Sequence, residues 1–278
     1  MRRYGLVGYP VKHSLSPAMH NAAFKDLGID AEYELFEVKP QDLGEFFAAF
    51  KERLAGANVT IPHKEASIEY LDEVKEAAGS IGAVNTVISE NGRLIGDNTD
   101  VSGFLEALKN DLGFKADGKK AVVLGAGGAA RAVTFGLHAQ NIKSVFLIDL
   151  DARKAASLAI DLAKAGCDAA AIKYDKDAVD GLILNADLLV NATPCGMKEG
   201  DPELVDARSM HKGLAVFDLI YNPAKTALIR EAEKRGCRAA NGLGMLLYQG
   251  AKAFELWTGK RPNSNVMKEA LIKALRSI

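Results

Sequence analysis

A short apolar run at 121–124 leads directly into Gly125-Ala126-Gly127-Gly128-Ala129-Ala130, and a second apolar run at 145–148 is closed by an acid, Asp149. Strand, glycine turn, helix and second strand at this spacing predict a βαβ unit with a right-handed crossover, and therefore a parallel sheet covered by helices on both faces. The turn matches G-x-G-x-x-G/A, with Ala130 in the last place. Gly125 permits the tight turn, Gly127 lets backbone approach a pyrophosphate, and Ala130 allows close helix packing. The free N–H groups around Gly128 and Ala129 face an anion. A glycine turn with no ligand is the plain alternative, and an acid about 20 residues further on weighs against it. The Asp149 carboxylate suits the two adenosine ribose hydroxyls and repels a 2′-phosphate, which favours NAD. Arg153 and Lys154 stand close behind, and either could reach a 2′-phosphate, so NADP is not excluded.

Further apolar runs at 188–190 and 215–219 suit strands buried on both faces, and they alternate with helical patterns at 129–139 and 152–165. After a helix at 101–110, residues 101–243 therefore read as a doubly wound dinucleotide-binding domain. The first hundred residues alternate strand patterns (4–7, 31–38, 56–61, 83–89) with helical ones (17–27, 42–53), again an α/β arrangement. Ser16 is expected as an N-cap before Pro17 at the first helical position. Asn91-Gly92 predicts a tight hairpin turn. Helical patterns at 245–258 and 266–278 are expected to pack back on residues 1–100, so that 1–100 and 244–278 form one discontinuous substrate-binding and catalytic domain. A length of 278 residues favours such a two-domain division.

With 35 basic and 36 acidic side chains, the net charge of -1 provides no field to gather nucleic acid or an anionic membrane. No apolar run reaches the ~18 residues of a membrane span, and Met1-Arg2-Arg3 runs into a strand pattern without a signal-peptide stretch, which predicts a cytoplasmic protein. Cys167, Cys195 and Cys237 are odd in number and widely spaced, suiting small apolar fillers in a reducing compartment. His13, His20 and His63 lack the partner spacing of a metal site.

GANVTIPHK, from Gly56 to Lys64, puts a lysine just beyond a short strand and a proline, where it can be aimed into a cleft. The chain also carries GYPVKHSLSPAMHN from Gly8, GAVNT from Gly82, GDNTD ending at Asp100, NATPCGM from Asn191, DLIYNP from Asp218 and GLGMLLYQGA from Gly242. This ordered set, spread over almost the whole chain, resembles the shikimate dehydrogenases and their quinate/shikimate dehydrogenase relatives. The resemblance implies a two-domain fold with the active site in the cleft between domains and interconversion of 3-dehydroshikimate and shikimate. It implies that Ser14 and Ser16 hold the substrate carboxylate, where Ser16 on sequence alone would serve as a helix cap. Thr60, Asn85 and Gln249 would bond the ring hydroxyls and Tyr221 would line the same pocket, although Asn85 and Thr86 could simply brace a turn.

Lys64 and Asp100 are the implied catalytic pair. In the reducing direction the Lys64 ammonium would polarise a ring ketone and supply the proton. In the oxidising direction a neighbouring carboxylate, which favours the ammonium, hinders its use as a base. Asp100 either moves a proton or orients the reacting groups. Thr193, Leu219 and Gly242 would touch the cofactor, with core packing and a turn as the plain alternative for the last two. Many NADP-specific members carry an Asn-Arg-Thr type sequence where this chain has Asp149-Leu150-Asp151, which moves it toward an NAD-dependent quinate/shikimate dehydrogenase, while the serine pair keeps shikimate as the substrate. A non-catalytic nucleotide-binding regulator is the reading from another class, and the presence of Lys64 and Asp100 stands against it. Expected partners are a small-molecule substrate, with neither nucleic acid nor membrane, and either a monomer or a homodimer.

Overall fold

A computed structural model describes residues 1–277 and divides the chain into two compact units, 1–103 together with the segment from Leu246 onward, and 104–245. In chain order the elements are β1 (Arg2–Gly8), α1 (Ser16–Asp26), β2 (Ala31–Glu37), α2 (Leu43–Ala48), α3 (Phe50–Arg53), β3 (Gly56–Val59), β4 (Glu73–Val74), α4 (Glu76–Ile81), β5 (Thr86–Glu90), β6 (Arg93–Asp97) and α5 (Asp100–Asn110). There follow β7 (Lys120–Leu124), α6 (Gly128–Ala139), β8 (Ser144–Asp149), α7 (Ala152–Lys164), β9 (Ala169–Lys173), α8 (Lys176–Ile183), β10 (Leu188–Asn191), β11 (Ala215–Asp218), α9 (Ala227–Lys234), β12 (Arg238–Asn241), α10 (Leu243–Thr258) and α11 (Ser264–Leu275).

The first unit is built on a mixed sheet ordered β2-β1-β3-β5-β6-β4. β1 runs parallel to β2 and β3, and the β5–β6 hairpin pairs antiparallel against β3. The hairpin turns at Asn91-Gly92, both at positive φ (51° and 74°), as a type I′ turn requires. The register sets Asn58 of β3 opposite Thr86 of β5, and Thr86 opposite Asp97 of β6, so polar residues of three strands meet at one end of the sheet. Val7, Val59, Val87 and Leu94 pack with Phe47 and Phe50 in one core cluster. Elsewhere in the unit Tyr4 meets Phe24 of α1 and Trp257 of α10, each with centroids 5.2 Å away. The Trp257 indole N–H donates to the Val87 carbonyl at 3.0 Å, tying α10 to the sheet. α11 packs on α1.

Two local expectations are corrected. The helix expected at 42–53 breaks at Ala49 into α2 and α3; Phe47 and Phe50, one on each side of the break, are both buried and stack at 5.7 Å and 7°, so tertiary packing overrides the continuous helical pattern. Ser16 is not the N-cap of α1 but its first residue, and no side chain caps the helix. Instead the Ser14 hydroxyl oxygen accepts the Ser16 N–H at 3.2 Å, and the Ala18 N–H is taken by the Leu15 carbonyl at 3.1 Å.

The second unit is a wholly parallel sheet ordered β12-β11-β10-β7-β8-β9. Numbered within the unit this is the 3-2-1-4-5-6 order of a dinucleotide-binding fold, which reverses direction between β7 and β10. β7 and β10 are buried nearly throughout, matching their apolar sequences, whereas the edge strands β9 and β12 are half-exposed. Among the described residues no helix is long and apolar enough to cross a membrane.

Candidate active site

In the first unit the side chains converge where β3, β5 and the start of α5 meet. Lys64 lies in the turn after β3, with its carbonyl accepting from Val84 N–H. Its ammonium pairs with Asp100 Oδ2, and the two side chains are only 13% and 7% exposed. Asp100 opens α5, where a carboxylate is favoured by the helix dipole. Its other oxygen accepts from Asn85 Nδ2 at 2.8 Å. Asn85 is the hub: its Oδ1 receives the Thr99 backbone N–H (2.7 Å) and the Thr86 hydroxyl (2.8 Å), and its Nδ2 also lies 3.4 Å from Gln249 Oε1 on α10. Gln249 is held in turn by donation from Nε2 to the Leu246 carbonyl. The Ser14 and Ser16 hydroxyls pair at 3.2 Å at the head of α1. Thr60 follows β3 with its N–H on the Val7 carbonyl, and its side chain makes no hydrogen bond among the described residues.

This grouping brings together Lys64, Asp100, Asn85 and Gln249, with Thr60 on the strand end beside them in sequence. Tyr221, expected in the same pocket, belongs to the second unit, in the loop after β11, where burial pushes its phenol above the ordinary range. The structure adds three residues that sequence reasoning passed over or treated only as turn braces. Asn58 is buried in β3 and donates to the Asn85 carbonyl and to Thr86 Oγ1, both at 3.2 Å, while Thr86 Oγ1 and Thr99 Oγ1 lie 3.1 Å apart. The available signal was an asparagine inside an otherwise apolar strand, since a buried amide requires partners. His63 Nε2 donates to the Val38 carbonyl (2.6 Å), and His20 is enclosed in aromatic rings. Among the described residues no group of three or more His, Cys, Asp or Glu is placed to hold a metal.

In the second unit the glycine turn lies at the point where the strand order reverses. Gly125 has φ +102°, and a Cβ there would meet the Ala192 carbonyl oxygen at 2.9 Å, so the turn passes against the loop after β10. Gly127 occupies the N-cap of the twelve-residue α6 and a Cβ there would meet nothing within 4 Å, which leaves the helix start open to an anion. Gly128 and Ala129 form its first turn, and Ala130 is fully buried. These residues fit the pyrophosphate of a dinucleotide. Asp149 ends β8, and its carboxylate already accepts from the Ala126 N–H and the Asp151 N–H, both at 2.8 Å. Asp151 caps α7 by accepting the Arg153 N–H, and the Arg153 guanidinium, 94% exposed, rests 3.4 Å from the same oxygen.

The Thr193 hydroxyl donates to Asn191 Oδ1 (2.7 Å) and accepts from Cys195 N–H (3.1 Å), which shapes the loop after β10. Asn191 Nδ2 also donates to Asp218 Oδ1, and burial raises the Asp218 carboxyl above its ordinary range against the hydrogen bonds from Thr226, Ile220 and Asn191. Leu219 follows β11, and its carbonyl lies so close to Gly242 that a Cβ there could not be accommodated. Burial also raises all three free thiols, and none forms a disulfide.

Two family models match: the shikimate dehydrogenase substrate binding domain over residues 6–87 and the shikimate 5′-dehydrogenase C-terminal domain over residues 242–272. A protein of Methanopyrus kandleri named shikimate dehydrogenase (NADP(+)) is 50% identical over 276 residues, covering 98% of this chain and 95% of its own. The fold is similar to that of shikimate 5-dehydrogenase from Listeria monocytogenes in complex with shikimate and NAD, with TM-score 0.89, 38% identity and coverage of 97% of this chain and 96% of that one. It is also similar to that of the Thermus thermophilus enzyme in complex with NADP(H) and shikimate, with TM-score 0.88, 40% identity and coverage of 99% and 100%. Matched along almost its full length by relatives at this identity, the chain belongs to the shikimate dehydrogenase family.

Proposed function

We propose that this protein interconverts 3-dehydroshikimate and shikimate by hydride transfer with a nicotinamide dinucleotide. The observation that carries the reading is the Lys64–Asp100 ion pair, nearly buried and joined through Asn85 to Gln249. Bound dinucleotide supplies or accepts the hydride. The Lys64 ammonium polarises the ring ketone and delivers a proton to its oxygen, and in the reverse direction the neutral Lys64 amine takes that proton back. Asp100 holds the ammonium in place and accepts from the ring hydroxyl. Ser14 and Ser16 bind the substrate carboxylate by turning their hydroxyls toward it, and Thr60, Asn85 and Gln249 pair the ring hydroxyls. A site of this kind rejects analogues lacking a hydroxyl because its own polar groups would be left unpaired.

For the cofactor, the relatives' names favour NADP over the preference for NAD expected from Asp149. The geometry supports a weaker role for this acid: with both oxygens engaged by backbone N–H groups, it braces the glycine turn as well as facing a ribose. Arg153 is free to swing from its loose contact with Asp151 toward a 2′-phosphate. Gly125, Ala126, Gly127, Gly128 and Ala129 hold the pyrophosphate, and Thr193, Leu219 and Gly242 line the nicotinamide end. Both dinucleotides are therefore expected to support turnover. The Asp149-Leu150-Asp151 segment also favours a second reading, oxidation of quinate alongside shikimate by the same site.

The test is the initial rate of oxidation of shikimate and of quinate, each with NADP and with NAD. Shikimate oxidation with either dinucleotide is expected. Turnover of quinate at a comparable rate would establish the second reading, and no turnover of any pair would overturn both.

A further inference from the structure

We propose that the buried Asp218 carboxylate biases the dinucleotide site toward the oxidised cofactor, its unpaired negative charge favouring a nicotinamide ring that carries a positive one. With both oxygens engaged by the protein it acts from behind the site, as a positioning residue. The assignment rests on the dehydrogenase reading given above.

Asp218 is the counterpart of Asp149 in the other half of the sheet. In this strand order β7, β8 and β9 form one mononucleotide half and β10, β11 and β12 the other. Asp149 closes β8 and accepts the N–H two residues further on at 2.8 Å. Asp218 closes β11 and accepts the Ile220 N–H in the same way at 3.1 Å. There the likeness ends: Asp149 is half-buried at the adenosine end, whereas Asp218 is 0% exposed. Leu219, which the proposed function puts at the nicotinamide end, is the next residue and is only half-buried. The carboxylate therefore stands directly behind a residue that opens toward the cofactor.

The surroundings of Asp218 suit the anion. Oδ1 accepts from Asn191 Nδ2 (3.0 Å) and from the Ile220 N–H, and Oδ2 accepts from the Thr226 hydroxyl (2.6 Å). A carboxyl proton directed at Thr226 would leave the threonine O–H without another acceptor among the described residues. Burial raises the carboxyl, the bonds from Thr226, Ile220 and Asn191 oppose that, and no cation is among the groups acting on it. A buried charge without an ion partner is costly, and a cation arriving nearby offsets that cost. Its field also reaches the loop after β10, where the Cys195 thiol is raised by burial and then by the charges of Asp201 and Asp218. A nicotinamide ring is neutral when reduced and carries one positive charge when oxidised. A fixed carboxylate in a site of low dielectric therefore favours the oxidised form, and favours the positive charge that grows on the ring during hydride transfer to the ketone.

The experiment is the Kd of NADP+ and of NADPH, measured by isothermal titration calorimetry on the wild type and on Asp218→Asn. The substitution keeps the shape and one acceptor and removes the charge. The ratio of the Kd for NADP+ to the Kd for NADPH is expected to rise about tenfold, the size of one charge interaction in a partly desolvated site. Two Kd values that move together, or that do not move, would show a merely structural residue and overturn the assignment. Asn191→Ser cuts the tie from Asp218 to the loop after β10 and leaves the charge in place, so it is expected to keep the wild-type ratio. A shift there as large as in Asp218→Asn would trace the effect to loop geometry and equally overturn the assignment. Should Asp218→Asn fail to fold, the wild type decides: NADP+ must bind at least as tightly as NADPH, and weaker binding sinks the proposal. A wild type that binds neither dinucleotide overturns the dehydrogenase reading itself, a result distinct from two measurable affinities in an unchanged ratio.

Discussion

At the residue scale the proposed chemistry rests on a lysine and a carboxylate that are almost removed from water yet matched in charge. Lys64→Ala removes the group that would stabilise charge on the reacting oxygen. We expect kcat to drop by about 10²- to 10⁴-fold, the range for loss of a positioned acid, with KM for shikimate changed only a few-fold. Steady-state kinetics on the purified variant check this, and near-normal kcat would remove Lys64 from the mechanism. His20 illustrates a residue whose type misleads. It is fully buried, neither ring nitrogen has a partner among the described residues, and burial lowers its pKa to about 3. In the unfolded chain a histidine titrates near 6.5, so below that pH the unfolded state binds a proton that the folded state refuses. Stability carries no penalty from His20 above pH 6.5 and falls as pH drops toward 3, the loss reaching about 2 kcal/mol at pH 5. His20→Leu should shrink the stability difference between pH 7.5 and pH 5, measured by urea unfolding, by about that amount; an unchanged difference would show that His20 takes up its proton without penalty.

At the element scale the strand, glycine turn and helix from β7 to α6 were legible because the pattern leaves few options. A run buried on both faces needs helices above and below it, and a turn at φ +102° against the Ala192 carbonyl needs glycine. The edge strands β9 and β12 were not legible, since half-exposed alanine-rich segments such as Ala169–Lys173 carry neither a continuous apolar run nor alternation. The break between α2 and α3 was hidden for a different reason: helical spacing of Phe47 and Phe50 persists across it while their ring stacking alters the backbone. Asp149 belongs to this scale because it joins the end of β8 to the turn after β7 through Ala126. Asp149→Asn removes a negative charge beside the proposed ribose position and keeps an acceptor for one backbone N–H. The ratio of kcat/KM for NADP over NAD should rise about tenfold, by the size of a single charge interaction near a protein surface. An unchanged ratio would show that the acid serves only as a brace.

At the scale of the whole molecule the two units differ in how the chain supplies them. The second is one continuous stretch, 104–245, whereas the first needs residues after 246 to complete it. Trp257 and Phe254 are buried in the first unit, and Gly56 lies so close to the Trp257 ring that it has no room for a side chain. A chain truncated after residue 245 should therefore leave the sheet of the first unit uncovered. We expect a fragment of residues 104–245 to unfold cooperatively in a thermal melt followed by circular dichroism, and a fragment of residues 1–103 to show no such transition. A cooperative melt of the shorter fragment would show that α10 and α11 are dispensable to its core.

The sequence alone determined the parallel dinucleotide-binding sheet and the hairpin at Asn91-Gly92, because each depends on residue type at short spacing, while a resemblance carried by several motifs in order pointed to Lys64 and Asp100, which the structure joins in one ion pair. Only the tertiary structure decided that Ser14 rather than Ser16 receives the first helical N–H, that Asp149 spends its lone pairs on backbone, and that Tyr33, Asn58 and Thr86 join one chain to Asn85. Those outcomes depend on which atoms of distant segments come within 3 Å of one another, and hydrogen-bond direction in a buried network follows from backbone donors and acceptors that no side-chain pattern records.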